Sequence, residues 1–375
     1  MSDEVQTVII DNGSGTIKAG YAGDEAPRSV FPTFIGRPRC DVYEFTNKNE
    51  KVYVGDEAMV NSCICNLKYP VERGIVVNWD DMEKVWNYTF DKELHINPAE
   101  HPLFIIEAPR NPKANSEKLI QIAFETFNVP SFYLSSDDPL SIYSSVRTTG
   151  VTCDIGYGVT KINSVYEGKS LLKEIVRYNF GAQDVMKMLG SNLEERGYYF
   201  TTSEEKEILR DIIEKVCYVP LDYESELRKA KTSSECDRSF FLPDCNVIDL
   251  NEERFRCTEL LFRPELDGFE IDGISKSIHK VIKEADIDVR KELYANIVIS
   301  GGISMLDGLP ERVEKEINEM APPKTVVKVI APKERKYAEW IGASILASLV
   351  TFPQRVITRD KYNDNGPGIV HRKQS

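Results

Sequence analysis

The chain has 375 residues, with 47 Lys+Arg against 60 Asp+Glu and a formal charge of −13. At ~100–200 residues per domain that length gives two or three domains, and 41% hydrophobic with 29% charged residues excludes a disordered or fibrous chain. The acidic balance argues against broad binding to nucleic acid or an anionic membrane surface, because neutralising phosphates needs clustered Lys and Arg.

In chain order, Met1-Ser2-Asp3-Glu4 has neither the basic start nor the apolar stretch of a signal peptide. Val8-Ile9-Ile10 reads as a buried strand and runs into Asp11-Asn12-Gly13-Ser14-Gly15-Thr16-Ile17-Lys18. Cys40 to Lys51 reads as a surface loop. Asp80 to Phe90 predicts a helix, Leu103 to Ile106 a strand and Asn115 to Phe127 a second helix. A second glycine turn follows, Asp154-Ile155-Gly156-Tyr157-Gly158-Val159-Thr160-Lys161. Gly168-Lys169-Ser170 mimics the end of a P-loop, but Asn163 stands where that motif needs Gly, so it is rejected.

Ser203 to Val216 predicts a helix, Lys231 to Asp244 a loop, and Gly273 to Ala285 another helix. Asn296 to Ile299 is a strand entering Ser300-Gly301-Gly302, and Pro310 marks the start of a helix through Met320. Trp340 to Phe352 is apolar over 13 residues, short of the ~20 that span a bilayer. Asn363 to Gly368 reads as a tail turn. The eight Cys form no Cys-x-x-Cys pair and the four His are scattered, so reduced cytosolic thiols are expected, without a disulfide framework or zinc site. Strands alternating with helices give an α/β fold.

The two glycine turns are one motif used twice. Asp, two Gly and Lys keep the same offsets 143 positions apart, which predicts a duplicated α/β domain. Glycines let the backbone approach a ligand closely. Successive N–H groups then form a concave anion site. An Asp at the strand end can organise Mg2+ through water. The plainer alternative is two ordinary hairpin turns, and the duplication weighs against it.

These runs, together with Gly36-Arg37-Pro38, Tyr53 to Ala58, Asn78 to Lys84, Asn111 to Asn115, Arg147 to Gly150, Glu334 to Tyr337 and Ile369 to Lys373, resemble the actin family from Asp11 to Lys373. The resemblance implies duplicated actin-type (ribonuclease-H-like) domains around a central nucleotide cleft. The first domain would take residues 1–144 plus 338–375, with 33–69 as a smaller insertion. The second would take 145–337, with 181–269 inserted. It also implies ATP or ADP with Mg2+ (or Ca2+), a cytoplasmic, cytoskeletal location, assembly with itself or actin into filaments, and actin-binding proteins as partners. Nucleic acid and membrane insertion are not implied.

By the same resemblance, Gly13, Ser14, Gly15 and Lys18 match the first phosphate loop, and Gly156, Gly158 and Val159 the second. Asp11 and Asp154 match the cation-organising carboxylates, and Glu214, Gly302, Met305 and Lys336 the contacts to ribose and base. Tyr143, Thr148, Ile345, Leu346, Leu349 and Thr351 match the cleft that receives partner helices, and the stripe at 341, 345 and 349 has helical spacing. Ile341 itself reads as core.

Departures fall at the same places. Asp137 and Lys161 replace the family's Gln and His, which position the attacking water, so hydrolysis by Asp137, Asp154 and Lys161 is open. Asp137 and Lys161 are expected to pair, or Asp137 to act as general base. Tyr157, Ile213 and Leu306 replace an acidic residue, a Lys and a Tyr, and Arg73 a His. Glu265, Asp267, Glu270 and Asp272 make one filament-contact loop acidic, Cys40 to Glu50 alters another, and the N-terminal acidic cluster shrinks to Asp3 and Glu4. Three functions compete: a filament subunit, a non-polymerising interaction subunit of a larger complex, and a metabolite kinase, which would need a second substrate pocket. A heat-shock ATPase is excluded on length.

Overall fold

A computed structural model describes residues 5–39, 52–171 and 175–373. The loop expected at 40–51 and the acidic residues Asp3 and Glu4 lie outside that range. The chain divides into two compact units, residues 1–147 with 337–375, and residues 148–336.

The first unit opens with β1 (Val8–Asn12), β2 (Thr16–Tyr21) and β3 (Ser29–Pro32), an antiparallel run. A small sheet follows, with β4 (Ile35–Pro38) between β5 (Tyr53–Val54) and β6 (Cys65–Lys68) and with α1 (Gly55–Val60) beside it. The hairpin β7 (Val71–Glu72) and β8 (Ile75–Val76) turns through Arg73 and Gly74, both at positive φ. Next come α2 (Trp79–Tyr88), β9 (Leu103–Glu107), α3 (Lys113–Gln121), β10 (Ser131–Ser136) and α4 (Asp138–Ser144). Asn78 caps α2 by accepting from Asp81 N. A π-turn continues both α2 and α3, over Thr89–Glu93 and Ile122–Thr126.

The second unit repeats the plan. Strands β11 (Gly150–Ile155) and β12 (Thr160–Tyr166) form the hairpin, with β13 (Lys169–Ser170) and β14 (Val176–Tyr178) both pairing β12. Helices α5 (Ala182–Glu194), α6 (Ser203–Val216) and α7 (Tyr223–Thr232) precede the hairpin β15 (Arg238–Phe241) and β16 (Val247–Leu250). Then come α8 (Glu253–Glu259), α9 (Ile274–Glu284), α10 (Ile287–Ala295), β17 (Ile297–Ser300), α11 (Leu309–Met320) and β18 (Val329–Ile330). Thr202 and Glu205 form a reciprocal capping box that starts α6. The chain returns to the first unit with α12 (Ala338–Ala347), β19 (Ile357–Thr358), α13 (Arg359–Asn365) and α14 (Val370–Lys373).

The main sheets run β19-β10-β9-β1-β2-β3 and β13-β12-β11-β17-β18. In each, the hairpin's first strand pairs its second strand antiparallel and a later strand parallel: β1 with β9, β11 with β17. The first sheet is covered on both faces. Val8, Ile10, Leu103 and Ile105 enter one core cluster, while Ile9, Phe104 and Ile106 enter another with Leu140, Trp340 and Ala343. That two-sided burial is why these strands read as unbroken apolar runs.

Helix α12 packs on α4 through Gly342. A Cβ at this residue would stand 1.9 Å from the Leu140 carbonyl oxygen and 2.6 Å from its carbon, and the backbone has no room to yield. Gly342→Ala is expected to lower unfolding free energy by about 1–3 kcal/mol, the usual cost of overpacking a core. Urea denaturation measures it, and an unchanged midpoint would contradict this packing.

Two expected loops are partly regular. Residues 231–244 contain the end of α7 and strand β15, whose short, mostly exposed alternation hid it; only Phe240 turns inward. The tail turn begins later than expected, since α13 runs through Asn365 behind a Thr358 cap.

Candidate functional site

Each glycine turn closes a hairpin whose register sets Asp opposite Lys. Asp11 pairs with Lys18 across β1–β2, and Asp154 with Lys161 across β11–β12. Directly opposite residues share a face of the sheet. Lys18 Nζ lies 2.5 Å from Asp11 Oδ2, and Lys161 Nζ 3.0 Å from Asp154 Oδ2. The four side chains are 12% exposed or less, so each charge is compensated where it is buried.

The first turn is held from every side within its unit. Trp86 Nε1 donates to Asn12 Oδ1, Gly74 N to Ser14 Oγ, and Thr33 gives its hydroxyl to Gly13 O and its N–H to Gly15 O. Arg73, a departure from the family pattern, therefore sits in the hairpin turn that grips Ser14. Sequence reasoning missed Thr33, Gly74 and Trp86, because their roles depend on strand and helix placement, not on local spacing.

The second turn is tied to the start of α5. Ala182 N and Gln183 N donate to the carbonyls of Gly156 and Tyr157, and Gly156 N to Val159 O. Asp184 accepts from Gly181 N at the head of that helix. Beside the turn, Ser300 Oγ donates to Asp154 Oδ1 at 3.1 Å. Gly301 adopts φ +93° against Ile155, and a side chain at Gly302 would meet open space. The structure thus gathers Asp154, Gly156, Gly158, Val159, Lys161 and Gly302 at the carboxyl ends of β11 and β17, and Asp11, Gly13, Ser14, Gly15 and Lys18 at the β1–β2 turn. In open α/β sheets ligands bind at strand carboxyl ends.

The other expected residues vary in exposure. Glu214 is exposed on α6 and pairs with Arg210 at 3.2 Å, Met305 is 40% exposed, and Lys336 is half-buried at the end of its unit. Asp137, at the carboxyl end of β10, is buried, and its N–H donates to Glu107 O. Three departures lie in or against the core of the second unit. Ile213 and Leu306 are buried in the second unit's core, and Tyr157 packs against it. Apolar replacements gain more from burial than from a polar ligand. Leu306 also lines a cavity of about 320 Å³ with Asp307, Glu311, Glu314, Val329 and Arg335.

Of the residues matched to the partner cleft, Leu346 is buried among Trp340 and Phe352, on the face of α12 that packs on the sheet. Ile341 packs against the same cluster. Ile345 and Leu349 are 41% and 47% exposed, with Val350 beyond them, while Tyr143 is half-buried and Thr148 and Thr351 exposed.

A divalent cation fits this donor set poorly. Both oxygens of Asp154 already accept from Lys161 and Ser300, and Asp11 Oδ2 from Lys18. Among the described residues no cluster of three or more His, Cys, Asp or Glu is arranged to hold a metal ion. Two buried ammonium groups beside glycine turns favour an anion.

Two sheets with one strand plan, each opening on an Asp-x-Gly-x-Gly hairpin, define a duplicated α/β protein of the ribonuclease-H-like class. The family model described as Actin matches residues 2–375. The chain belongs to the actin family and is an actin-like protein of the cytoskeletal type. Members of that family generally bind a nucleotide and a divalent cation. No helix among the described residues is long and apolar enough to cross a membrane.

Proposed function

We propose that this chain is an actin-family subunit that takes up ATP or ADP at its glycine turns and assembles into or onto actin filaments of the cytoplasmic cytoskeleton. The matched Asp–Lys registers of the two hairpins carry the reading: neither hairpin alone would distinguish a phosphate site from an ordinary turn. Lys18 and Lys161 supply fixed positive charge, and the turn N–H groups supply donors for phosphate oxygens. Gly302 leaves room for the nucleoside. Partner helices would dock on Ile345, Leu349 and Val350, which supply an apolar strip on the surface.

Filament assembly is favoured over a non-polymerising role by one observation. The acidic loop is partly self-neutralised: Asp267 pairs with Lys187, Glu265 with Arg263 and Asp272 with Lys280. These exposed pairs add little stability, but they reduce like-charge repulsion across a repeated contact.

Phosphate release is expected to be slow, because Asp137 offers no amide donor to orient a water and adds negative charge. Asp137→Gln is expected to raise it by about tenfold or more, the scale of restoring one oriented donor. Pelleting and phosphate release with Mg-ATP, measured in one tube, test both parts. Filaments with slow release support the reading. Neither filaments nor release would favour the interaction subunit, and an Asp137→Gln variant no faster than wild type would remove the role given to Asp137.

A further inference from the structure

The two turns differ in the row of residues that each sheet places beside its Asp. In the first sheet the row across adjacent strands is Ile106, Asp11, Lys18 and Val30, whose charges sum to zero. In the second it is Ser300, Asp154, Lys161 and Arg177, which carries one more positive charge than negative. Opposite residues share a face, so Lys161 stands on one side of the sheet between Asp154 and Arg177. The Lys161–Asp154 pair is buried, at 8% and 9% exposure. Ser300 occupies the other carboxylate oxygen, and a Cβ added at Gly301 would stand 2.8 Å from that same oxygen, so only glycine leaves it this room.

We propose that Lys161 is a tethered counter-cation that takes the place of the divalent metal at Asp154, so that nucleotide binding by this chain does not depend on Mg2+ or Ca2+. The inference rests on the nucleotide reading above. A hydrated divalent ion needs carboxylate oxygens to accept from its waters, and here those oxygens already accept from an ammonium and a hydroxyl. A dication seeking Asp154 would have to displace the Lys161 ammonium, at low dielectric where like-charge repulsion is least screened. Phosphate oxygens meet the opposite field and can accept directly from Lys161 Nζ, a compact point-charge donor.

The test measures ADP affinity with Mg2+ and with excess chelator, in wild type, Lys161→His and Lys161→Gln. Mn2+ retained on each ADP complex is counted by electron paramagnetic resonance. For wild type, chelation is expected to change the dissociation constant by less than about threefold, and no stoichiometric Mn2+ is retained. In the variants Asp154 is released, so affinity is expected to fall at least about thirtyfold on chelation and Mn2+ to become stoichiometric, the scale of exposing one buried carboxylate to a cation. A wild-type loss of about tenfold or more on chelation, or stoichiometric Mn2+ on wild type, would overturn the inference. Those two wild-type readouts decide it even if neither variant folds. No ADP binding with or without cation would overturn the proposed function itself, and this inference with it.

Discussion

Gly301→Ala is expected to destabilise the second unit by about 2–4 kcal/mol, combining left-handed strain with overpacking, and to weaken nucleotide binding at least tenfold. Gly301 sits at φ +93°, and an added Cβ would stand 2.3 Å from Ile155 O and 2.8 Å from Asp154 Oδ1. Its N–H donates to Arg335 O and its carbonyl accepts from Ser304, so the residue cannot rotate away without breaking both. The strain must therefore fall on the end of β11, where Asp154 and the second turn begin. Calorimetry for stability and equilibrium dialysis for ADP measure the two effects. An Ala variant with wild-type affinity and stability would show that the close approach of β17 to β11 does not shape the site.

Glu259→Gln is expected to change how stability depends on pH. Glu259 ends α8, is 1% exposed, and places Oε1 3.4 Å from Arg312 Nη2. Its Oε2 has no hydrogen-bond partner. Arg312 is shared: it donates to Glu316 and to Pro220 O and lies over the Phe262 ring. Burial, opposed by the Arg312 charge, pushes the Glu259 carboxyl from 4.5 to about 7.

The folded state therefore holds a proton that the unfolded chain releases near pH 4.5. A group raised on folding stabilises fully below its unfolded value and loses that contribution as pH rises through its folded value. The loss runs from about pH 4.5 to about 7 and amounts to about 3 kcal/mol. Gln cannot ionise, so the variant's stability relative to wild type is expected to improve by about that amount across the window. Denaturation at several pH values checks it, and a gap constant with pH would contradict it. Arg312→Ala should also destabilise, by about 1–3 kcal/mol, because it removes the donor to Glu316 and to the buried Pro220 carbonyl.

The sequence carried the hairpins because Asp, Gly and Lys act locally: their offsets alone set the register that pairs Asp11 with Lys18 and Asp154 with Lys161. Strands β1, β9 and β17 were legible because burial on both faces leaves an unbroken apolar run in each, over residues 8–10, 103–106 and 297–299, before the polar residues at their carboxyl ends. Hidden from local pattern were contacts that depend on which element covers which. Thr33 reaches Gly13 and Gly15 only because β3 joins β2. Helical spacing grouped Ile341, Ile345 and Leu349 on one stripe, but it could not show that neighbouring Leu346 packs on the sheet. Resemblance could not show that Ile213 and Leu306 join the second unit's core, because that depends on which helices cover them. Lys161 was legible as a departure but was expected to pair with Asp137; the partner the structure gives it is Asp154, which the hairpin register sets opposite.

The central claim is that the glycine turns bind an adenine nucleotide. The most direct measurement is the adenine nucleotide released when freshly purified chain is denatured, compared among wild type, Lys18→Ala and Lys161→Ala. With divalent cations removed by chelator throughout, the account predicts stoichiometric ATP or ADP from wild type and a marked loss from each single variant. Stoichiometric release from either variant, or none from wild type, would contradict it.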